Sequence, residues 1–459
     1  MLKLLVSLTA GLCFVLPATA DTLSLDAQKA VELALANNRQ IQQAREKVVE
    51  ATAGEDAAFG PFLPQISAAG NYTRLAKVSE FNLMAAHETI MGVPVYDPAG
   101  QYIGSTSPIP VATGVDTFHL QLGNANNYVL RGTVQQTVFT WGKLVNAYRI
   151  AGLNLDLQKE ALAQARAQVK VDATSGFYQA MLAQKMSALM KDSYSQLKRH
   201  VEQVQALYDN GLATKLDVMR AQVGLTNMEA QVSQLESATE LALAALRNTI
   251  GVAPETPLSL AGEMKPETLL VDLAQATDSA LKKRPELAQL QRAAQMADLG
   301  ARIARAANLP NVFAAFNYSY EKPVGFNDEW GSDWNFSAGF SMPLFTGGTN
   351  LNRLKQAQSR YRQAKFGLAL AEDGIRLEVQ AQVSMLNQEA KNIAYQARNV
   401  EVAEAALQLA ETRYQNGLLT NLEYMDTQLA LTQARVSYLN SLASFQIAKA
   451  GLLKAMGER

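Results

Sequence analysis

Glu423 and Asp426 carry the most direct chemistry in this chain of 459 residues: two carboxylates three positions apart, sharing one face of a predicted helix. Glu423 follows Thr420 by three residues and can cap that helix, whereas Asp426 lies a turn further in, where no cap can use it. Repeated by symmetry around an axis, the pair would form a tight acidic ring. On an isolated chain it is a solvated surface feature, and spacing alone leaves both readings open. Catalysis has less support. His87 and His119 fall in a proline-rich stretch and His200 in a long helical one, with no spacing that makes a metal site or an acid–base pair. Met181, Met186 and Met190 read as helix packing rather than metal ligands. The sequence calls for no enzyme, cofactor or metal, and 41 basic against 42 acidic residues leave no basic field for nucleic acid.

The acidic pair belongs to a motif that occurs twice. Tyr208-Asp209-Asn210-Gly211-Leu212-Ala213-Thr214 returns 206 residues later as Tyr414-Gln415-Asn416-Gly417-Leu418-Leu419-Thr420. Gly211 and Gly417 suit the left-handed conformation that stops a helix, Thr214 and Thr420 suit the cap of the next, and Asp217 and Glu423 complete capping boxes. Nearer the N-terminus the displacement is 246, with Leu63-Pro64-Gln65 returning as Leu309-Pro310-Asn311 and Ala34-Leu35 as Ala280-Leu281. The difference of 40 residues places an insertion in the first copy, between Tyr72 and Tyr128. Two repeats are expected, 21–262 and 263–459, behind a leader. Met1-Leu2-Lys3, the apolar run Leu4 to Leu16 and Ala18-Thr19-Ala20 make residues 1–20 a signal peptide, so the chain is exported. The only cysteine, Cys13, lies inside that leader.

The elements that position the motif are long helices. No proline interrupts 143–208 or 349–414, and at about 1.5 Å per residue each gives roughly 100 Å of rod, with return helices over 215–250 and 421–456. Met190, Tyr194, Leu197, Val201, Val204 and Tyr208 step by four and three, the seam of a coiled coil. The remainder of each repeat alternates with the strand period, over 65–74 and 127–138 in the first copy and 311–321 and 334–344 in the second. One face is apolar, as in Val312, Ala314, Phe316, Tyr318 and Tyr320, and the other small and polar. Tyr72, Tyr128, Tyr318, Tyr320, Trp330 and Trp334 gather toward one hairpin end, as membrane-interface aromatics do. The insertion 75–126, with Pro94, Pro98, Pro108 and Pro110, reads as an external loop with room for a small hairpin.

No apolar stretch of about 18 residues follows the leader, so no helix is expected to span a bilayer. Four strands cannot close a barrel, and an open edge cannot sit in lipid. Copies must therefore pool their strands, and three copies, with 12, leave room for a channel. The rival reading is an exported coiled-coil structural or adhesive protein whose strands form a soluble sheet.

Leu25-Asp26-x5-Glu32-x-Ala34-Leu35-x2-Asn38, Arg284-Pro285-Glu286-Leu287, the Leu-Pro before each first strand and the Gly-Leu-x-Thr turns resemble the TolC-type outer-membrane efflux proteins. The resemblance covers the chain beyond the leader, apart from the insertion. It implies a mostly α chain with a transmembrane β-barrel portion: a homotrimer whose 12-strand barrel, four strands per chain, sits in outer-membrane lipid and continues as a periplasmic α-helical coiled-coil barrel. It implies a passive exit duct of a tripartite efflux or type I secretion system, served by an inner-membrane pump of RND, ABC or MFS type. A periplasmic adaptor (membrane fusion) protein then grips the turns at Gly211, Leu212, Thr214, Gly417, Leu418 and Thr420. Glu423 and Asp426 match the family's pore constriction, and Asp217 and Tyr414 its closed-state contacts. Leu419 stands where some members carry an arginine, so the closed state must be held differently or more loosely here. Nothing in the sequence names the cargo.

Overall fold

The computed structural model describes residues 23–265, 271–325 and 327–458, so the signal peptide expected at 1–20 lies outside the described residues. In chain order the elements are β1 (Leu23–Leu25), α1 (Ala27–Asn37), α2 (Arg39–Phe59), β2 (Gln65–Arg74), β3 (Ser79–Met91), β4 (Pro94–Tyr96), β5 (Tyr102–Ser105), β6 (Ile109–Leu122), β7 (Asn126–Phe139), α3 (Lys143–Asp209), α4 (Lys215–Ile250), β8 (Leu258–Leu260), α5 (Leu273–Lys283), α6 (Pro285–Ala306), β9 (Asn311–Lys322), β10 (Gly331–Ser341), α7 (Thr349–Gln415) and α8 (Asn421–Ala455). They divide into a helical unit, residues up to 55, 149–299 and from 357 on, and a strand-rich unit, 56–148 with 300–356.

In the helical unit α3 and α7 belong to uninterrupted helices of 67 residues each, because no proline removes a ladder donor and Ala, Leu, Gln and Glu favour the helix. Among the described residues the two larger cores lie along them. Val169, Ala173 and Phe177 of α3 and Leu246 and Ile250 of α4 close on Leu25, Ala30 and Ala34. Ile375, Val379 and Val383 of α7 and Phe445 and Leu452 of α8 close on Ala276 and Ala280 of α5. The paired alanines give α1 and α5 a thin contact stripe that admits close approach, while each fully buried Phe or Leu contributes about 1.5–3 kcal/mol. β1 and β8 pair in parallel, Leu23 to Leu258 and Leu25 to Leu260.

The residues that follow α1 and α5 close the far ends of α4 and α8. Asn38 donates its side-chain amide to the Thr249 carbonyl at 2.9 Å. Arg284, buried, donates Nε to the Ala455 carbonyl at 2.6 Å and pairs through Nη1 with Glu378 at 2.5 Å. A cation there meets the negative end of the helix dipole and its unpaired carbonyls. This gives the Arg284-Pro285-Glu286-Leu287 motif a structural role.

The strand-rich unit holds a four-stranded antiparallel sheet in the order β10-β9-β7-β2. Registers place even positions beside even ones throughout its middle: Tyr72 opposite Tyr128, Leu130 opposite Tyr320, Trp334 opposite Tyr318 and Phe336 opposite Phe316. One face is therefore continuously apolar and lies bare, with Ile66, Trp334, Phe336 and Phe340 all exposed. Polar side chains link across the other, Thr133 Oγ1 donating to Asn317 Oδ1 at 2.8 Å and Asn317 Nδ2 to Asn335 Oδ1 at 3.0 Å. At one end the rings of Tyr72, Tyr128, Trp330 and Tyr320 follow one another, with centroid separations of 4.9, 5.8 and 5.0 Å. Phe316 and Trp334 pack at 6.0 Å one step further in.

Two expectations are corrected. The last strand covers Gly331–Ser341 rather than 334–344, because Pro343 has no N–H to continue the ladder and draws Met342 out of it. The insertion, expected as a loop with room for a small hairpin, is hairpin over most of its length: β3 and β6 pair antiparallel over Ser79–Met91 and Ile109–Leu122, and β4 and β5 continue it to the turn Asp97-Pro98-Ala99-Gly100. Asp97 Oδ1 accepts the Gln101 N–H at 2.7 Å and Gly100 takes φ 84°. Pro94 and Pro110 misled because each strand of a two-stranded ribbon is an edge, where a missing donor costs little.

Candidate functional site

The two turns of the helical unit share one backbone. Gly211 and Gly417 adopt φ 71° and 70°. The Leu212 N–H reaches the Leu207 carbonyl at 2.7 Å and the Leu418 N–H the Arg413 carbonyl at 2.9 Å, the long-range bonds of a glycine-closed helix end. Asp217 Oδ2 accepts from the Thr214 hydroxyl at 2.6 Å and N–H at 3.1 Å. Glu423 Oε2 accepts from the Thr420 hydroxyl at 2.7 Å and N–H at 2.9 Å. The Thr420 backbone bond, then its hydroxyl, holds the Glu423 carboxyl below the usual carboxylate range, so the cap favours its charged form. Leu212 and Leu418 project outward, 76% and 74% exposed.

Against the second turn lies a cluster drawn from four helices. His200 of α3 is 3% exposed, and its Nε2 stands 2.7 Å from Asn421 Oδ1 at the start of α8. Asn421 Nδ2 donates to the Asp217 carbonyl of α4 at 3.2 Å. With the amide spent on that carbonyl, the Asn421 oxygen is the acceptor and His200 Nε2 carries the hydrogen. The imidazole packs 5.2 Å from the Tyr414 ring and 4.5 Å from the Tyr424 ring, and the two tyrosines stack at 5.2 Å and 25°. Burial pushes the His200 pKa down, with the Asn421 bond opposing it. Burial, then the Asp217 and Tyr424 charges, pushes the Tyr414 hydroxyl up, and burial followed by Glu411 does the same for Tyr424. Asp217 and Tyr414, together with Leu419, line one cavity of about 760 Å³.

Asp426 stands elsewhere on α8. It is exposed beside a groove of about 590 Å³ between α4 and α8, walled by Leu216, Met219, Val223, Leu422, Met425 and Leu429 and sharing its polar lining with Arg220. Gly224 seats the Met425 methyl, which lies 2.7 Å from where a Cβ would be. Glu423 and Asp426 thus differ within one chain: the first is held by a cap, the second borders an apolar groove.

His200, Asn421 and Tyr424 are the residues that sequence reasoning missed. The buried positions of α3 here are Ser187, Met190, Ser193, Leu197, His200 and Val204. The seam therefore runs through His200, while Tyr208, read as its last member, is exposed. A polar residue three after Leu197 and four before Val204 was the available signal. Among the described residues no group of three or more His, Cys, Asp or Glu could hold a metal ion, and no helix is long and apolar enough to cross a membrane.

Comparison with known proteins adds an independent line. The sequence profile described as outer membrane efflux protein matches residues 30–252 and 276–458. The outer membrane efflux protein BepC of Brucella suis is 21% identical over 340 residues, 72% of this chain and 74% of that protein. The outer membrane protein OprJ of Pseudomonas aeruginosa is 29% identical over 272 residues, 54% of this chain and 52% of its own length. The crystal structure of the Campylobacter jejuni CmeC outer membrane channel superimposes with a TM-score of 0.77 at 16% identity, covering 94% of this chain and 85% of that one.

Proposed function

The chain belongs to the outer membrane efflux protein family and resides in the outer membrane with its helices extending into the periplasm, and from that premise we propose that it is a passive exit duct opened at its helical tip. The observation that carries this reading is the sheet: four strands, two open edges at β2 and β10, and a bare apolar face. A lipid-exposed edge leaves backbone groups unsatisfied, so the edges need partners. Because the sheet is antiparallel throughout, β2 and β10 run in opposite directions. One copy's β2 can then pair with the next copy's β10 without breaking the alternation. Two copies give about eight strands, whose interior fills with side chains, while three give about 12 and leave a lumen lined by Thr133, Asn317 and Asn335. In this reading the chain is two copies of one unit, 21–262 and 263–459, with the first carrying the external ribbon.

At the tip, threefold repetition turns Glu423 and Asp426 into an acidic constriction, with Asp217 and Tyr414 as closed-state contacts. The outward Leu212 and Leu418, on turns closed by Gly211 and Gly417 and capped by Thr214 and Thr420, are the contact surface for a periplasmic adaptor. An inner-membrane pump supplies the driving force, since nothing in the duct does. Tyr72, Tyr128, Tyr318, Tyr320 and Trp334 take the membrane interface, where amphipathic rings are favoured. Planar-bilayer recording tests the constriction: E423A with D426A is expected to raise conductance and weaken cation preference, and unchanged currents rule the acidic gate out. For the assembly, the expected result is a heat-sensitive trimer in detergent extracts of outer membranes. A soluble monomer without detergent would sink the duct and favour the structural or adhesive reading.

A further inference from the structure

We propose that His200 is the positioning residue that keeps the two tip hairpins docked in the closed state, and that this clasp releases when the ring takes up a proton. The inference rests on the gate reading above. His200 belongs to the α3/α4 hairpin and Asn421 to the α7/α8 hairpin, so their 2.7 Å bond ties one hairpin to the other. Asn421 passes the link on to the Asp217 backbone of α4 at 3.2 Å, and Ser193 to Thr432 adds a cross-tie at 3.3 Å. The clasp thus ends on Asp217 and packs on Tyr414, the two residues proposed to hold the closed state. It is also one-sided, since Ala406 stands 206 residues after His200. Leu419 in the turn is apolar and Arg413 just before Tyr414 is exposed, so the buried imidazole is the tie between the hairpins at this point.

The surroundings decide what protonation does. From α8 the ring meets Asn421 and Tyr424, and from α7 Tyr414, all neutral. Of the nearby acids, Asp217 on α4 is held in its cap by Thr214, and Glu411 on α7 acts on Tyr424. On α3 itself Lys198, Arg199 and Glu202 are exposed. A second proton therefore puts a charge in a nearly closed site with no carboxylate against it, and the tyrosine faces offset only part of that cost. Burial is the dominant influence on the ring, so the clasped form holds the proton less readily than the released form. The sign follows: the closed state is favoured in full above about pH 6.5, and its advantage falls as pH drops below that value. Down to the clasped ring's own pKa, the equilibrium shifts about tenfold per pH unit per chain.

Hydrogen exchange on the purified full-length trimer, corrected for intrinsic rates, tests this at pH 7.5 and 5.5. Segments 196–204 and 414–424 are expected to exchange at least about fivefold faster at the lower pH in the wild type. In H200Q, whose amide keeps a neutral donor at the same reach, protection is expected to be high and equal at both pH values. H200A should exchange fast at both, and if it fails to assemble, as judged by heat-sensitive trimer migration, H200Q carries the test alone. An acid response that persists in H200Q, or none in the wild type, overturns the clasp. Bilayer currents recorded in parallel separate it from the gate. Release in exchange with flat current upholds the clasp and overturns the gate reading, while acid opening that survives in H200Q upholds the gate and overturns the clasp.

Discussion

The two tip turns have the same backbone and different surroundings. Gly211 and Gly417, Thr214 and Thr420, and Asp217 and Glu423 make matching bonds within a few tenths of an ångström. Around the first turn Tyr208 is exposed and the helix continues with Lys215, Val218 and Arg220. Around the second, Tyr414 is packed, and Asn421, Tyr424 and Asp426 occupy the corresponding places. The capped turn is thus common to both, and the packed imidazole and tyrosine rings stand at the second alone. The first turn contributes through its Asp217 backbone, as an acceptor for the second.

That asymmetry can be broken experimentally. The largest effect is expected from Y414A, which removes a ring stacked on both His200 and Tyr424. It should lower the local opening free energy at the start of α8 by about 1–3 kcal/mol in native-state hydrogen exchange, whereas Y208A should change it by under about 0.5 kcal/mol. Similar values for the two would remove the distinction. Next is G417V, which forces a β-branched residue to φ 70° at a cost of about 1–2 kcal/mol. G211V should cost as much locally yet leave the Tyr414–Tyr424 stack intact, as tyrosine fluorescence can show.

T214A and T420A should each cost about 1 kcal/mol of helix-end stability, since the caps are alike. Only T420A should also let the Glu423 carboxyl return toward its ordinary range, visible as an upward shift of its carboxyl titration in carbon NMR. The smallest effect is the pH dependence of the second cap. The Glu423 pKa is lowered by folding, so its contribution is present at neutral pH and is lost as pH falls below about 4.5, through the lowered value. Amide exchange at Glu423 should accelerate in that acid window in the wild type and lose the dependence in E423Q.

Much of this was legible because it is local. Strand faces follow from a period of two, so Val312 to Tyr320 and Trp334 to Phe340 declared the apolar side before any pairing was known. The turns follow from glycine and threonine at set distances from a helix end. In the insertion the prolines hide the extent of the hairpin, and Phe81, Leu83 and Val115 sit in paired strands. Prolines indicate only that a central strand is absent, and a two-stranded ribbon has none.

By itself, then, the sequence determined the helices, their caps and the two sheet faces, because each depends on neighbours within a few residues. The tertiary structure decided which residues of the two halves meet. β7 pairs with β9 across the halves, His200 reaches Asn421 over 221 positions, and Asn421 reaches Asp217 over 204. A helix period states that His200 lies on a buried seam. It cannot state what faces it there, because one polar side chain at a packed position suits many partners, and only the docking of the second hairpin selects among them.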